Sequence, residues 1–396
     1  MFFTESDFVQ VHPPIITSSD CEGAGEVFTV STSPSDEEEL PSPSLAVEGK
    51  KTHALSSPSS ALNPEQKEKD QHHFFRGPKY LTVSSQLHLE CFAHAIPQVW
   101  TLSPTFRAEK SDTNRHLSEF YMLEAEMSFT KKLEDVMSVV EDMTRFVVSG
   151  LFDSRVGKEI AEIYFNKSSE ETAAEDPVDS SMPLRLESRW KSLLSPQRWT
   201  RMTYTEAIKH LSEAATKGEA RFAFEPIWGN ALQAEHEKFL AAKFGSPGGE
   251  GGGGPVFVTD YPRGLKPFYM LPSDHSSSSS SETDTVACFD LLLPHIGELV
   301  GGSLREHRYD ELLTSMKLHG LIPASPISSN SDFGSTENNK EDDLGTLKWY
   351  LDLRKWGTVP HGGFGMGFDR LMAYLAGVRD VREVVGFPRW RGRCDC

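Results

Sequence analysis

The residues best suited to chemistry begin with two arginines in the stretch PTFRAEKSDTNRHLSEF. Arg107 and Glu109 stand two residues apart, which predicts that they share one face of a strand. A polar loop with Arg115 and His116 follows, and Phe120 is expected to begin a second strand. Such a hairpin would aim into one cleft two guanidiniums, whose planar forks suit phosphate, and a ring able to stack on a base. An exposed hairpin with ordinary ion pairs explains this stretch equally well.

A second group contains two carboxylates, Asp290 and Glu298, which bracket a turn in FDLLLPHIGELVGG. Carboxylates converging from neighbouring strands can hold Mg²⁺, which commonly bridges protein oxygens and substrate phosphates. Arg305 follows Gly301 and Gly302, and glycines let a ligand approach the backbone. An arginine beside paired acids is more often a structural salt bridge, so both interpretations stay open.

The third group is HGGFGMGFDRLMAYLAG, residues 361–377. Its glycines resemble a dinucleotide-binding fingerprint, but no strand opens a βαβ unit there and no spaced acid completes the pattern. The pattern instead predicts a glycine turn packed against a ligand, with Arg370 in the first turn of the following helix. The alternative is a capped surface helix.

Two further residues are candidates for holding a small substrate. Glu22 lies among small residues in TSSDCEGAGE, which predicts a loop that can close over a ligand. Gln86 is expected on an alternating strand within 80–90, where its amide could meet an amino acid. Neither feature is distinctive alone.

The elements that must position these groups follow from hydrophobic periodicity. Helices are predicted over 131–150, from an N-cap at Thr205 to about Ala215, over 229–245 with Gly245 as its end, and over 367–377; strands are predicted over 255–262, 268–272 and 287–294. The 131–150 helix has an apolar side formed by Leu133, Val136, Met137, Val140, Met143 and Val147. Strands with interspersed helices and no regular βαβ repeat predict an α+β fold, an antiparallel sheet flanked by helices.

Composition limits the interpretation without excluding nucleic acid. The net charge is −18, but the Ser-, Pro- and Glu-rich segments 31–72, 165–182, 273–285 and 328–345 together carry −15 of it. These segments, with the glycine linker 245–255, are predicted to be disordered insertions, so the remaining chain is nearly neutral. The five cysteines lack CxxC spacing, which favours a reducing compartment, and Cys394 and Cys396 are expected in a solvated tail. The chain has no apolar run of about 20 residues, so no membrane partner is expected.

In this order the groups resemble the signature motifs of the class II aminoacyl-tRNA synthetases, and more closely the asparagine and aspartate subgroup. FRAEKSDTNRHLSEFYMLEAE resembles the second motif, GFGMGFDRLMAYLAG the third, and VHPPIITSSDCEGAGE the tail of the first. The resemblance covers 7–30, 79–165, 200–272, 286–325 and 346–390.

The resemblance implies roles for individual residues. ATP is expected to contact Arg107, Glu109, Arg115, His116, Leu117, Phe120, Glu298, Gly367, Phe368, Asp369 and Arg370. The amino acid is expected to contact Glu22, Ser84, Gln86, Arg107, Gly301 and Arg305, and Mg²⁺ to bind Asp290 and Glu298. Arg107, Glu298 and Arg370 would be catalytic and meet around one triphosphate, acting by position and electrostatics without a protein nucleophile.

The resemblance also indicates the substrate. Aspartate enzymes of the subgroup carry a lysine three residues after the position of Gln86, whereas this chain has Leu89. Without that cation a buried substrate carboxylate is costly. The loop DCEGAGE and the pair Arg305–Glu306 resemble the asparagine branch. The expected reaction is ATP-dependent activation of asparagine and its transfer to the acceptor end of tRNA(Asn). The alternatives are a paralogue that amidates aspartate without tRNA and a non-catalytic nucleotide-binding paralogue.

The resemblance also predicts how the whole chain is organised. The family's anticodon-binding domain precedes the position of Pro14, and this chain starts almost there, so Met1 is either a misplaced start or a true truncation. A homodimer is expected, and the ending FPRWRGRCDC resembles organellar, fungal-like members, which indicates mitochondria with the cytoplasm as alternative. One catalytic domain, 1–396, would comprise 1–30 (partial first motif and closing loop), 31–75 (disordered), 76–165 (second motif), 166–199 (insertion or linker), 200–272 (central elements), 273–285 (Ser-rich), 286–325 (metal and amino-acid site), 326–345 (disordered) and 346–396 (third motif).

Overall fold

The computed structural model describes residues 1–18, 27–31, 74–75, 77–167, 186–245, 253–273, 284–322 and 342–395. Its strands are β1 (Val9–Gln10), β2 (Ile16–Thr17), β3 (Tyr80–Leu81), β4 (Gln98–Phe106), β5 (Glu119–Ser128), β6 (Thr200–Thr203), β7 (Val256–Pro262), β8 (Thr285–Leu293), β9 (Gly297–Leu304) and β10 (His361–Gly367). Eight of them form one sheet in the order β1–β4–β5–β10–β9–β8–β7–β6, and β2 pairs with β3.

The large sheet is antiparallel in its interior and parallel at both edges. β4, β5, β10, β9, β8 and β7 pair antiparallel with their neighbours, whereas β1 runs parallel to β4 and β6 parallel to β7. The predicted α+β class, a sheet flanked by helices, is confirmed, with the parallel edge strands as an addition.

Helices surround this sheet. They are α1 (Phe2–Glu5), α2 (Gln86–Ala95), α3 (Leu133–Asp153), α4 (Arg155–Lys167), α5 (Leu186–Leu193), α6 (Tyr204–Lys217), α7 (Ala234–Phe244), α8 (Tyr309–Leu318), α9 (Lys348–Lys355) and α10 (Phe368–Ala376). None of the helices described in these ranges is long and apolar enough to cross a membrane.

The period of two along β5 divides the molecule into an apolar core and a polar face. Leu123, Ala125 and Met127 are buried in the main core cluster, which also contains side chains of α3, α5 and α10. Glu124 and Glu126, which alternate with them, are buried on the opposite face. Because successive side chains of a strand point to opposite faces, one short segment supplies both the core and a row of acids.

The glycines of β10 keep that polar face open. A Cβ at Gly363 would lie 2.1 Å from Glu126 Oε2, and one at Gly365 would lie 3.2 Å from Met122 Sδ. Phe364 and Met366, which alternate with these glycines, are buried in the core. The glycine turn predicted for this segment is therefore wrong: residues 361–367 form a strand between β5 and β9, and its glycines reflect close approach to an acidic face.

Residues 80–90 differ from expectation, because the strand ends at Leu81 and Gln86 begins α2. The Glu124 carboxylate accepts hydrogen bonds from Ser85 N (3.0 Å) and from Ser84 Oγ (2.6 Å). An anion at a helix N-terminus satisfies free backbone N–H groups and interacts favourably with the helix dipole. This cap comes from a residue far along the chain, so local alternation could not reveal it.

Other helices and strands begin or end at residues that differ from the prediction, for local reasons. α6 begins at Tyr204 because Thr203, not Thr205, forms a capping box with Glu206. The predicted helix over 229–245 begins only at Ala234. The predicted strand over 268–272 is reduced to isolated bridges at Met270 and Pro272, since proline lacks the N–H that a ladder needs. β7, β8 and α10 confirm their predicted segments within two residues.

The apolar side predicted for the long helix α3 is confirmed except at one position. Val147 is 38% exposed, whereas Val148 is fully buried, because a period of 3.6 turns the inward side by one residue over this length. The segment 166–199, expected as an insertion or linker, contains α5 from Leu186 onward, and Trp190 of α5 is buried in the main core. The insertions expected over 31–75, 273–285 and 326–345 lie largely outside the described residues, as does the linker at 246–252.

We expect Gly302→Ala in β9 to lower the free energy of unfolding by about 1–3 kcal/mol, because overpacking a filled core forces neighbours to move. Its Cβ would lie 2.4 Å from Cζ of the fully buried Phe289 ring. Urea unfolding measures the change. Gly386→Ala, where nothing lies within 4 Å of the new Cβ, is the control. Equal midpoints for the two variants would show that the ring has room to move.

Candidate active site

A cleft between the β4–β5 hairpin, β9 and the start of α10 brings together most of the predicted ATP-binding residues. The predicted residues that line it are Arg107, Glu109, Arg115, His116, Leu117, Phe120, Glu298, Gly367, Asp369 and Arg370. Phe368, also predicted, is not among them. The three residues expected to meet around one triphosphate, Arg107, Glu298 and Arg370, therefore share one cavity.

Arg107 and Glu109 lie just beyond β4, which ends at Phe106, and not on the strand as predicted. They are still neighbours, with Arg107 Nη1 at 3.8 Å from Glu109 Oε1. His116 Nε2 lies 3.2 Å from Glu109 Oε2, and this hydrogen bond lowers the pKa of Glu109, helped by Arg107. The Arg107 guanidinium lies 5.6 Å from the centre of the Phe120 ring. A cation and a stacking ring therefore face the cleft together.

Arg370 donates from Nη1 to the backbone carbonyl of Glu298 (3.1 Å). Within the described ranges no carboxylate lies within ion-pair distance of its guanidinium. Burial lowers the pKa of Arg370, with Glu298 opposing and Arg115 and Arg107 adding to the shift. A buried guanidinium that is bonded to a carbonyl and lies close to two other arginines favours binding of an anionic ligand.

Asp369, expected to contact ATP, has a structural partner. Its Oδ2 accepts from the backbone N–H of Tyr121 at 2.8 Å, which ties the start of α10 to β5. Burial raises the pKa of Asp369. This bond fixes the position from which the neighbouring Arg370 enters the cleft.

Arg115 is held by a residue that sequence reasoning missed. Its Nη2 lies 3.3 Å from Oε2 of Glu237 on α7, and the same oxygen accepts from Glu298 N at 3.1 Å. Burial raises the pKa of Glu237, and the charge of Glu298 adds to the shift. Helical spacing gave no sign of this role, because the partners of Glu237 come from a hairpin and a strand.

The predicted metal pair converges as expected, but with a further partner. Both carboxylates approach Gly301: a Cβ at that position would lie 3.4 Å from Glu298 Oε1 and 3.7 Å from Asp290 Oδ1. Lys266 Nζ donates to both oxygens of Asp290, at 2.8 and 2.7 Å. Burial raises the pKa of Asp290 with Lys266 opposing, and that carboxylate raises the pKa of Lys266 against the effect of burial.

Two carboxylates fit the usual Mg²⁺ site, which takes one or two carboxylates and completes its shell with water and phosphate oxygens. Glu298 can fill that role directly, whereas Asp290 would share its charge with Lys266. Within the described residues no group of three or more His, Cys, Asp or Glu side chains surrounds a common point. The donor set therefore suits a metal that arrives with a phosphate ligand.

Beside the cleft, Gln86 and Arg305 belong to a buried polar pocket. Arg305 Nη2 donates to Gln86 Oε1 (2.6 Å) and to Glu126 Oε2 (2.9 Å), and Arg305 Nη1 donates to Ser303 Oγ (2.5 Å). Gln86 Nε2 donates in turn to Glu126 and to Glu90. Burial raises the pKa of Glu126, while Arg305 opposes the shift.

Glu90 continues the network on its other side. Its carboxylate accepts from Arg354 Nη2 (2.6 Å) and Tyr350 Oη (2.8 Å) and lies 3.0 Å from His361 Nε2. The pKa of Glu90 is lowered, because Arg354 and His361 together outweigh the opposing effect of burial. The pocket thus contains two carboxylates, Glu90 and Glu126, and two guanidiniums, so its fixed charges balance.

The other residues predicted to contact the amino acid have other partners in the structure. Ser84 bonds the Glu124 carboxylate, and Gly301 faces Asp290 and Glu298. Leu89 is 1% exposed and packs in an apolar cluster with Val11, Ala93 and Val99, so its side chain is surrounded by apolar neighbours. Glu22 lies outside the described residues.

The loop of the β4–β5 hairpin is fastened by the chain after α10. Arg382 Nη2 donates to Asp112 Oδ1 (2.6 Å), and Asn114 Nδ2 donates to the carbonyl of Arg379 (3.1 Å). The backbone N–H of Ser118 donates to the carbonyl of Arg389 at 2.7 Å. These bonds hold the segment that carries Arg115 and His116.

Comparisons with known proteins agree on one family. The family model described as "tRNA synthetases class II (D, K and N)" matches residues 59–391. Mitochondrial asparagine–tRNA ligases of Saccharomyces cerevisiae and Schizosaccharomyces pombe are 40% and 38% identical, and each match covers 98% of this chain and 65% of the relative. The asparagine–tRNA ligase of Desulfotalea psychrophila is 38% identical, with 100% and 68% covered.

Solved structures agree. Asparaginyl-tRNA synthetase from Pyrococcus horikoshii, complexed with asparaginyl-adenylate, aligns with a TM-score of 0.67 at 27% identity, covering 99% of this chain and 66% of that chain. The enzyme of Entamoeba histolytica aligns with the same TM-score at 25% identity. The chain thus spans a little under two thirds of the length of the first relatives it matches.

We expect Glu90→Gln to lower the free energy of unfolding by about 3–5 kcal/mol at pH 7, because it leaves Arg354 buried without its anion. A carboxylate whose pKa is lowered by folding stabilises above its unfolded pKa of about 4.3, and this contribution disappears as the pH falls further. The difference between wild type and variant should therefore shrink below about pH 4.

Urea unfolding at a series of pH values checks this expectation. Glu213→Gln, on the half-exposed side of α6 and paired with Lys217, is the control and should change stability by well under 1 kcal/mol. A pH-independent difference for Glu90→Gln would mean that the lost stability came from packing and not from charge.

Proposed function

The chain belongs to the class II tRNA synthetases of the D, K and N group, and we propose that it activates asparagine with ATP and transfers the asparaginyl group to tRNA(Asn). The observation that carries this proposal is the pairing of two sites. A cleft lined by Arg107, Arg115 and Arg370 adjoins a pocket in which charges already balance. The names of the relatives support the same reaction.

In the proposed first step the asparagine carboxylate oxygen forms a bond to the α-phosphorus of ATP, and the bond to the β-phosphate oxygen breaks, releasing pyrophosphate. Arg107, beside the Phe120 ring, is placed to hold the α-phosphate where negative charge increases. Arg115 and Arg370 hold the departing phosphates. Glu298, with Asp290 nearby, would hold a Mg²⁺ ion whose charge would further neutralise the phosphates.

The balanced pocket explains a preference for asparagine over aspartate. Arg305 can donate to a side-chain oxygen, while Glu126 can accept from an amide N–H. An aspartate carboxylate would meet Glu126 without a spare cation in the pocket, and like charges at short distance cost several kcal/mol. The amide therefore fits both partners and the carboxylate only one.

Location and assembly are further parts of the proposal. The mitochondrial names of the two yeast relatives support a mitochondrial location, and the bacterial relative keeps the cytoplasm as the alternative. A homodimer is supported by the short edge strand β1, where Val9 is 45% exposed beside the two-residue pairing with β4.

We expect ATP–pyrophosphate exchange by the full chain to depend on asparagine among the twenty amino acids, and Arg370→Ala or Arg107→Ala to lower it by about 10²–10³-fold. The control Arg221→Ala alters an exposed arginine in the loop after α6 and should leave the rate unchanged. Ammonia-dependent formation of asparagine from aspartate, without asparagine-dependent exchange, would assign the chain to the amidating paralogues instead. Absence of ATP binding in calorimetry would assign it to non-catalytic ones.

We expect Glu126→Gln to reduce the preference for asparagine over aspartate by roughly tenfold or more, because the pocket then has an excess cation that can pair with a carboxylate. The ratio of kcat/KM for the two amino acids in the exchange reaction measures this. Glu311→Gln on the exposed side of α8 is the control. An unchanged ratio would place discrimination elsewhere.

A further inference from the structure

The chain ends in a cationic segment that the proposed activation step does not use. Residues 379–393 contain five arginines and two acids, whereas the whole chain has a net charge of −18. Residues 387–393, here called the terminal turn, contain three of these arginines together with Phe387 and Trp390. A local concentration of arginines and aromatic rings makes this segment a candidate surface for an anionic ligand.

The terminal turn is a built structure. The backbones of Trp390 and Arg393 exchange hydrogen bonds of 3.1 and 2.9 Å, and Gly392 between them takes a φ of +83°, which suits glycine. The Trp390 ring lies 4.3 Å from the guanidinium carbon of Arg382 and 4.9 Å from that of Arg393. Arg391 is therefore presented at the tip of a tight, braced turn.

The terminal turn lies against the loop of the β4–β5 hairpin. Arg391 Nη1 donates to the carbonyl of Lys110 at 3.0 Å, and the N–H of Ser118 donates to the carbonyl of Arg389. Lys110, Arg391 and Arg393 are exposed, so their charges form one surface beside the cleft.

Arg382 and Arg389 are paired with Asp112 and Glu119, so the charge of this surface rests on Arg391, Arg393 and Lys110. No carboxylate lies within ion-pair distance of Arg391 in the part of the chain that the structure describes. Arg393 Nε lies 3.4 Å from an oxygen of the exposed Asp395, a contact that solvent weakens. Phe387 is 66% exposed, which leaves its ring available for stacking.

We propose that the terminal turn and Lys110 form a contact surface for RNA, binding backbone phosphates of the tRNA acceptor stem, with Phe387 stacking on a base of the unpaired 3′ end. This inference rests on the proposed function, because transfer requires that end to reach the adenylate in the cleft. Outside its acidic insertions the chain is nearly neutral, so exposed cations concentrated in one place attract the phosphates of RNA to that place. Guanidiniums and exposed aromatic rings are the groups that bind single-stranded RNA ends.

The test measures binding of the full chain to an RNA minihelix that carries the acceptor stem and unpaired 3′ end of tRNA(Asn), at several KCl concentrations. For the double variant Arg391→Gln/Arg393→Gln we expect roughly tenfold weaker binding, and a plot of log Kd against log[KCl] whose slope falls by roughly 1.5, the loss of two phosphate contacts. The matched control is Arg155→Gln/Arg221→Gln, which removes two exposed arginines from α4 and from the loop after α6. Equal slopes for the two double variants would overturn the proposal.

A second variant separates stacking from charge. Phe387→Ala should weaken binding roughly tenfold without changing the salt slope, and only for the minihelix that retains its unpaired end. Equal losses with a blunt-ended minihelix would contradict the stacking role. Asparagine-dependent pyrophosphate exchange should persist in all of these variants. Its absence in the wild-type chain would refute the proposed function, whereas the slope comparison decides the RNA surface alone.

Discussion

Arg305 must be neutralised where it stands, and much of the polar face is arranged around that need. Its side chain is 2% exposed, and a buried guanidinium without a partner costs several kcal/mol. Glu126 meets it from β5, Gln86 meets it from α2, and Glu90 connects this group to Arg354 on α9. Two strands and two helices are thus fixed relative to one another by charges that must stay paired.

That requirement explains why small residues line the middle of the sheet. Gly363 allows Glu126 to lie against the backbone of β10, and Gly301 leaves room for Asp290 and Glu298 on β9 and its neighbour. On the opposite face the same strands carry Phe364 and Val300, both buried. Because the same strands carry large apolar side chains on one face and glycines on the other, they form the core on one side and the cavity on the other.

The sequence predicted the elements whose signals are local. The apolar side of α3, the strands β7 and β8 and the glycine-led helix α10 follow from periodicity and turn residues, and the motif-like order of Arg107, Glu298 and Arg370 indicated the residues that line the cleft. Contacts between distant segments were not predictable. Glu124 converts an expected strand into the start of α2, and Lys266 reaches Asp290 from another loop. The spacing of Glu124 and Glu126, two residues apart in a strand, was a usable sign that both acids face the pocket.

The ammonium of Lys266 neutralises Asp290 in the acidic corner of the site, which Asp290 forms with Glu298. With both Asp290 oxygens bonded to Nζ, the charge of that carboxylate is compensated, and Glu298 faces a neighbour that is already paired. The buried Asp290 carboxylate therefore has its counter-charge within the fold itself. A cation bound between Asp290 and Glu298 would have to compete with that ammonium, so the Lys266–Asp290 pair would set how strongly this corner attracts a metal.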